Sequence, residues 1–399
     1  MSLEIRPLTA DDDLAQELDL GYRAFGPMIT ADTGTRMARI EDATAAGRLL
    51  GAFAGRQLVA SAQFHEMCQW WGGRPAPMAG VGGVKVAPEQ RGRGTGRALV
   101  SELLALIGAR GFALSALYPA TLPLYRWHGW EITGGHYQLT LPARAARDLV
   151  PPEAGPAASP PALRRAVPAD AEEFIAVAGR VHRASRDSGA ATFDAATIAR
   201  ALGDERLFCY LADDGCLAYR WARSDSELYV SRLLAVSAAT TRELWSVVGS
   251  HASVVTTIRA SASPADPVSW LTREPDVTLQ RDSLPWMLRT VRAPAAIAAR
   301  GFPPAAELTA ALELTDPVLT ANSGSWLLRV AAGQGTLARA AEPGRAAPLR
   351  LGPRGFAALF GGTPLASLRR AGLAAGGDPD ADALLDGAFA ATPFMLDHF

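Results

Sequence analysis

The residues with the plainest chemical potential lie in one loop. Gln90-Arg91-Gly92-Arg93-Gly94-Thr95-Gly96 joins an apolar run over 81–86 to a helical pattern that opens at Arg97-Ala98-Leu99-Val100 and continues through Leu103, Leu104 and Ile107. Strand, glycine loop and helix N-terminus in that order make an anion site. The loop N–H groups converge, and the helix dipole adds positive potential. Arg91 and Arg93 add paired charge suited to a phosphate or pyrophosphate. On these residues alone a nucleotide fits as well as any other diphosphate. About thirty residues on, Leu124-Tyr125-Arg126-Trp127-His128-Gly129-Trp130 offers a phenol. Tyr125 is either a proton donor near pKa 10 or a packing aromatic beside Trp127 and Trp130.

Other chemistries are thinly represented. His65, His128, His136, His182 and His251 lack metal-ligand spacing and read as structural, so no metal is expected. Cys68, Cys209 and Cys216 are too few and too scattered for a disulfide framework. No G-x-S-x-G nucleophile signature occurs. A net charge of −1 gives no case for non-specific nucleic-acid binding. The opening MSLEIRPLTADDD has no apolar signal core, and no long uncharged apolar run follows, so no membrane partner is expected and a cytoplasmic protein is. Lys85 is the sole lysine among 39 basic residues, which leaves almost no lysine on the chain itself to be acylated.

The elements that must position these residues fall into units. A chain of 399 residues with 49% hydrophobic content predicts two or three domains. The first, 1–150, reads as a short strand at Glu4-Ile5-Arg6-Pro7-Leu8 and a cap and acidic first turn at Thr9-Ala10-Asp11-Asp12-Asp13. Helices follow through Leu14, Leu18 and Tyr22 and over 36–45, broken at Ala24-Phe25-Gly26-Pro27-Met28. Strands over 47–53 and 57–65 lead to a loop at Trp70-Trp71-Gly72-Gly73 and then to the anion loop. A strand over 113–118, a short helix over 122–128 and strands at Trp130-Glu131-Ile132 and 136–141 complete the unit. A proline-rich linker spans 150–161.

The second unit, 160–283, restarts the pattern. Leu163-Arg164-Arg165-Ala166-Val167-Pro168-Ala169-Asp170 echoes Ile5-Arg6-Pro7-Leu8-Thr9-Ala10-Asp11. Residues 227–236 echo the strand before the anion loop and 242–250 the helix after it. The join between them, Ser237-Ala238-Ala239-Thr240-Thr241, has neither glycine nor arginine. This reads as an internal repeat that has lost its anion site, in competition with chance likeness between two α/β units. The third unit, 284–399, opens on a strand at Trp286-Met287-Leu288-Arg289-Thr290-Val291, continues in strands, and ends in helices over 355–360, 364–371 and 381–388. The fold class is α/β overall, with an α+β third unit.

At Gln90, Arg91, Gly94 and Gly96 the chain resembles the GCN5-related N-acetyltransferases (GNAT), whose acetyl-CoA loop reads Gln/Arg-x-x-Gly-x-Gly/Ala. Over its whole length it resembles a narrower group, the enhanced intracellular survival (Eis) acetyltransferases. The order of three units, the segment around Tyr125 and the terminal Phe399 carry that likeness. The resemblance implies tandem GNAT domains, the second degenerate, followed by a sterol-carrier-protein-like domain. It implies an N-acetyltransferase that uses acetyl-CoA on amines of aminoglycoside-like polyamines or protein lysines, assembled as a homohexamer. It assigns the pyrophosphate to Gly92, Arg93, Gly94, Thr95, Gly96 and Arg97 with Arg91, the pantetheine arm to the backbone of Val84, Lys85 and Val86, and the cofactor's far end to Ala120 and Thr121. It makes Tyr125 the acid and the α-carboxylate of Phe399 the base. From the residues alone, TPFMLDHF at the C-terminus reads as a tail packed on its own domain. His398 stands where the group carries an acidic residue. Acceptor contacts are expected from Phe25, Met28, Met67, Trp70 and Trp71, with Glu66 and Asp19 as candidate carboxylates. Rival readings are a GNAT for another metabolic amine and a lipid-binding protein acting through the third unit.

Overall fold

The computed structural model describes residues 3–26, 33–153, 161–222, 226–273, 275–340 and 347–399, with Ser283 described by its backbone alone. Met28 and most of the proline-rich linker lie outside the described residues.

In the first unit β1 (Leu3–Pro7) is followed by α1 (Ala15–Phe25) and α2 (Thr33–Ala45). The hairpins of β2 (Leu49–Ala54), β3 (Gln57–Trp71) and β4 (Arg74–Val86) come next. α3 (Thr95–Ala109), β5 (Leu114–Leu117), α4 (Leu122–Trp127), β6 (Glu131–Pro142) and α5 (Ala143–Arg147) complete it. α3 is apolar on one face: Leu99, Val100, Leu103, Leu104 and Ile107 are all buried and pack on Val59, Ala79 and Val81 of the sheet. Two local expectations change. Trp70 and Trp71 end β3 instead of forming a loop, and only Gly72 and Gly73 make the turn, both with positive φ. Asp12 does not cap α1: it pairs with Arg6 at 2.7 Å and accepts from the Thr9 N–H, so it ties down the turn before the helix.

The second unit repeats that device. Arg164 pairs with Asp170 at 2.8 Å, and Asp170 accepts from the Val167 N–H. Spacing and partner offsets are those of Arg6, Thr9 and Asp12, which gives the sequence echo a shared physical basis. The unit runs β7 (Arg164–Arg165), α6 (Ala171–Ala184), β8 (Ala191–Thr192), α7 (Ala195–Leu202), β9 (Phe208–Ala212) and β10 (Gly215–Trp221). It continues with β11 (Glu227–Ala235), α8 (Ala238–Gly249), β12 (Thr257–Ser261), α9 (Val268–Leu271) and β13 (Thr278–Thr290).

The two units share one sheet of 13 strands, ordered β1-β2-β3-β4-β5-β13-β6-β12-β11-β10-β9-β7 with β8 on β3. β13 enters the first unit between β5 and β6, and β6 in turn pairs with β12 of the second. The segment from Trp286, expected to open the third unit, therefore belongs to the large sheet. Pro285, which has no N–H to give, sits where the β13–β6 register shifts.

The third unit contains α10 (Ala293–Ala299), β14 (Leu308–Leu314), β15 (Gly324–Ala331), β16 (Gln334–Arg339), β17 (Leu349–Leu351), α11 (Pro353–Phe360), α12 (Leu365–Arg370), β18 (Ala374–Gly376) and α13 (Pro379–Phe389). Its sheet, β16-β15-β14-β17-β18, and its helices share one core with Trp71 and Trp286 of the large sheet. Charge also joins the units. Arg289 on β13 meets Asp316 at 2.5 Å, both buried, and Glu131 on β6 takes Arg126 and Arg354. Arg300, wholly buried, donates to the carbonyls of Phe360 and Phe389 at the ends of α11 and α13. Burial pushes its guanidinium down to about 9.

Candidate active site

β4 and β5 run parallel and pair over Met78–Val81 and Leu114–Leu117. β4 then continues to Val86 with no β5 partner among the described residues, so the two strands splay. At the mouth of the splay β4 bulges. Ser61 opposes Lys85 and Gln63 opposes Gly82, so Gly83 and Val84 together face the single residue Ala62. Gly83 takes φ +59°, which glycine accepts without strain. The bulge leaves the β4 backbone locally unpaired with β3 at the mouth of the splay.

The loop after β4 ends at Gly94, with φ +85°, and α3 begins at Thr95 with no side-chain cap. A Cβ at Gly92 or Gly94 would meet nothing within 4 Å. The loop is open at both glycines, and no side chain takes the first-turn amides of α3, as a pyrophosphate cradle requires. Gly96 lets helix and strand approach, since a Cβ there would stand 3.3 Å from Val86 Cγ2. Arg91 is held back on the strand, its Nε donating to the Val86 carbonyl at 3.3 Å. Arg93 is exposed, and the Arg97 guanidinium lies 4.6 Å from the ring centroid of Trp127. Lys85 pairs through Nζ with the buried Glu17 at 2.5 Å, so only its backbone is open to a ligand. Ala120 and Thr121 are exposed between β5 and α4, and Thr121 is the N-cap residue of α4.

The equivalent place in the second unit is closed. Ser237 caps α8 by accepting from the Thr240 N–H. The Asp214 carboxylate accepts from the Ser237 N–H and the Thr240 hydroxyl. A fixed negative charge at the helix N-terminus does what a bound phosphate would do, and excludes one.

Tyr125 is buried among Ala79, Val81, Leu99 and Val100, edge-on to Trp130, and its hydroxyl has no partner among the described residues. Burial pushes the phenol up to about 12, so it is fully protonated at neutral pH. Tyr118 is committed elsewhere. Its hydroxyl donates to the Asp397 carbonyl at 2.7 Å, and His136 Nε2 lies 2.7 Å away. A phenol has one proton, so His136 must donate through Nε2 to the phenol oxygen. Burial, and after it His398, push the His136 imidazole down to about 4, so the ring is neutral at pH 7 with its one proton on Nε2.

The C-terminal tail crosses the large sheet. Phe394 donates through its N–H to the Ser188 carbonyl and Met395 to Gly135, and Phe394, Met395 and Leu396 are buried. The Phe399 ring lies on Gly80, where a Cβ would stand 2.7 Å from it. The Phe399 carboxyl carbon and oxygen stand 3.8 Å from the Cβ position of Gly82, as does His65 Nε2. The last residue of the chain therefore meets β4 beside its bulge.

Two family models described as Acetyltransferase (GNAT) domain match residues 4–133 and 190–292, and one described as Sterol carrier protein domain matches 293–396. N-acetyltransferase Eis of Mycobacterium bovis is 31% identical over 282 residues, 67% of this chain and 68% of that protein. N-acetyltransferase Eis of Mycobacterium tuberculosis matches to the same extent. The chain belongs to the Eis family of GNAT acetyltransferases. A GCN5-related N-acetyltransferase from Kribbella flavida superposes with a TM-score of 0.90 at 43% identity, covering 100% of this chain and 98% of its own. Eis1 from Mycobacterium abscessus, at 22% identity, shares the fold with a TM-score of 0.76 over 99% of this chain and 100% of its own. The tandem GNAT domains and the sterol-carrier-type domain are thus those of an Eis acetyltransferase.

Several acceptor contacts expected from sequence do not reach the site. Trp71 is sealed between Trp286 and Phe360. Trp70 packs beside His182 and donates to Thr192. Glu66 points to the opposite face of β3 from His65 and Met67 and pairs with Arg110. Asp19 pairs with Arg23, while Phe25 is exposed at the end of α1. Met67 does reach the tail, with Sδ 2.7 Å from the Cβ position of Gly80. Sequence reasoning overlooked Gly80 and Gly82. Their alternation on one strand face, which leaves room for Phe399, was the available signal. His65 and His136, read as structural, and Tyr118 also reach the tail, and no local signal marks them.

Proposed function

We propose that this acetyltransferase moves the acetyl group of acetyl-CoA onto amines of aminoglycoside-like polyamines, with protein lysines a further acceptor class, by direct attack in the first GNAT domain. One conjunction carries the reading. A splayed strand with a bulge leads into an uncapped helix N-terminus, and Phe399 lies across the same strand at Gly80 and Gly82. Acetyl-CoA supplies the thioester. The amides of residues 92–97, with Arg93, hold its pyrophosphate, and the backbone of Val84, Lys85 and Val86 lies along its pantetheine arm. The Val84 amide faces the acyl oxygen and stabilises the charge that grows there.

The amine enters from the tail side. The Phe399 α-carboxylate pairs with the ammonium and takes one proton from it, which frees the lone pair for attack; the second proton leaves the nitrogen after the C–N bond has formed and restores the phenol of Tyr125. A carboxyl with an ordinary pKa near 3.5 is a weak base, so the pairing in a closed site comes first. As the C–S bond breaks, Tyr125 gives its proton to the thiolate. His398 stacks on His136 at 3.9 Å between centroids, so its ring packs the tail.

Support for a lipid-carrier role is weaker. The apolar face of the third unit's sheet is filled by Phe356, Leu359 and Phe360 together with Trp71 and Trp286. The acceptor class is tested by kcat/KM across aminoglycosides, linear polyamines, lysine peptides and single metabolic amines. The reading expects aminoglycosides to lead; a metabolic amine preferred over all of them would replace it.

A further inference from the structure

The second GNAT domain has no open anion site, yet its splay is in use. β11 pairs in parallel with β12 over Glu227–Val230 and Thr257–Ala260, as β4 pairs with β5, and the pairing stops at Val230 as the first stops at Val81. There β11 also bulges: Arg232 opposes Ala218 and Val230 opposes Tyr219. Arg232 therefore stands where β4, in the first domain, would begin to hold its ligand. Its side chain is 11% exposed, and Nη2 lies 2.6 Å from Asp397 Oδ2. Its surroundings are otherwise apolar or weakly polar: Phe174, Cys209 and Cys216. Its Nε has no partner among the described residues.

We propose that Arg232 is a positioning residue for the terminal segment that carries Phe399. The proposal rests on the reading of the Phe399 carboxylate as base. A guanidinium buried with one carboxylate cannot release it without leaving a bare charge in a poorly hydrated place. Asp397 is thereby gripped twice, by Arg232 through its side chain and by Tyr118 through its carbonyl. Phe399 follows two residues later, a span of at most about 7 Å, so the clamp limits where its carboxylate can go. The degenerate domain has kept its cleft and holds the chain's own terminus there in place of a cofactor.

The test uses the full chain with Arg232→Met, Arg232→Lys and Asp397→Asn, and separately a chain extended by a few residues past Phe399. The double variant Arg232→Met/Asp397→Asn, which removes both charges and leaves neither bare, covers the case of a single variant that folds poorly. For Arg232→Met and Asp397→Asn we expect kcat to fall by about a hundredfold, the scale of a 1 Å misplacement. KM for acetyl-CoA should be unchanged, and carboxypeptidase should release Phe399 faster than from the parent. Arg232→Lys should recover part of kcat. An Asp397→Asn enzyme with parental kcat and parental resistance to carboxypeptidase overturns the proposal. If that enzyme is active while the extended chain is dead, the positioning role fails and the base reading stands. If the extended chain is fully active, the base reading fails and the positioning role with it.

Discussion

The hydroxyl of Tyr118 lies 2.7 Å from the carbonyl oxygen of Asp397, 279 residues further along the chain. The Tyr118 hydroxyl is also within reach of His136 Nε2 and, at 3.0 Å, of Met395 Sδ. One phenol at the end of β5 thus gathers the tail onto the first domain. Burial, and after it the negative charge of Asp397, hold its pKa above the ordinary value, so it stays a donor. Tyr118→Phe removes the hydroxyl shared by the Asp397 carbonyl and the His136 ring, which costs about 1–3 kcal/mol. We expect a lower kcat, an unchanged KM for acetyl-CoA and a tail more readily cut by carboxypeptidase.

One cofactor should bind per chain. Asp214 and Ser237 close the N-terminus of α8, whereas Gly94 leaves that of α3 uncapped. Calorimetric titration of acetyl-CoA should give a single site per chain. Gly94→Val, which forces a β-branched residue to φ +85°, should abolish it.

Acid should loosen the protein through His136. Its folded value is pushed down to about 4 from an ordinary 6.5. The unfolded chain therefore takes up the proton first. The stability held by the neutral ring is fully present above pH 6.5, declines as pH falls toward 4 and is gone below it. Allowing for solvent screening, the loss is on the order of 2 kcal/mol. Groups facing the ring are Tyr118, His398, Asp397 and Asp282. Tm measured from pH 7 to pH 4 should fall over that window, and His136→Gln should flatten the curve.

The joint between the large sheet and the third unit should be sensitive to charge. Asp316 accepts from Arg289, from the Leu319 N–H and from Asn322. Arg289→Met leaves that carboxylate buried and uncompensated, at a cost of about 3–5 kcal/mol. Urea unfolding is expected to show that loss.

Local chemistry was legible in the sequence, and distant pairing was not. The anion loop reads directly, because its residues are contiguous and their function needs only a strand before and a helix after. The repeat reads through Arg6 and Arg164, because each organises its own turn with an aspartate six residues on. The insertion of β13 beside β5 does not read. Trp286 and Met287 form a buried strand in either unit, and nothing local names the partner. Trp70-Trp71 before two glycines looks like a loop because the length of β3 is set by Pro75, Ala76 and Pro77 across the hairpin. Arg232 and Asp397 stand 165 residues apart and meet only once the tail has crossed two domains.

Tyr125 carries the account most directly. Its hydroxyl is protonated and has no other partner among the described residues, and it sits in the same packed cluster as β4 and α3. Steady-state turnover of Tyr125→Phe, measured beside its affinity for acetyl-CoA, decides the matter. We predict a kcat lower by about a hundredfold or more, the scale of a lost general acid, with acetyl-CoA bound as tightly as before. Turnover close to that of the parent enzyme would contradict the assignment.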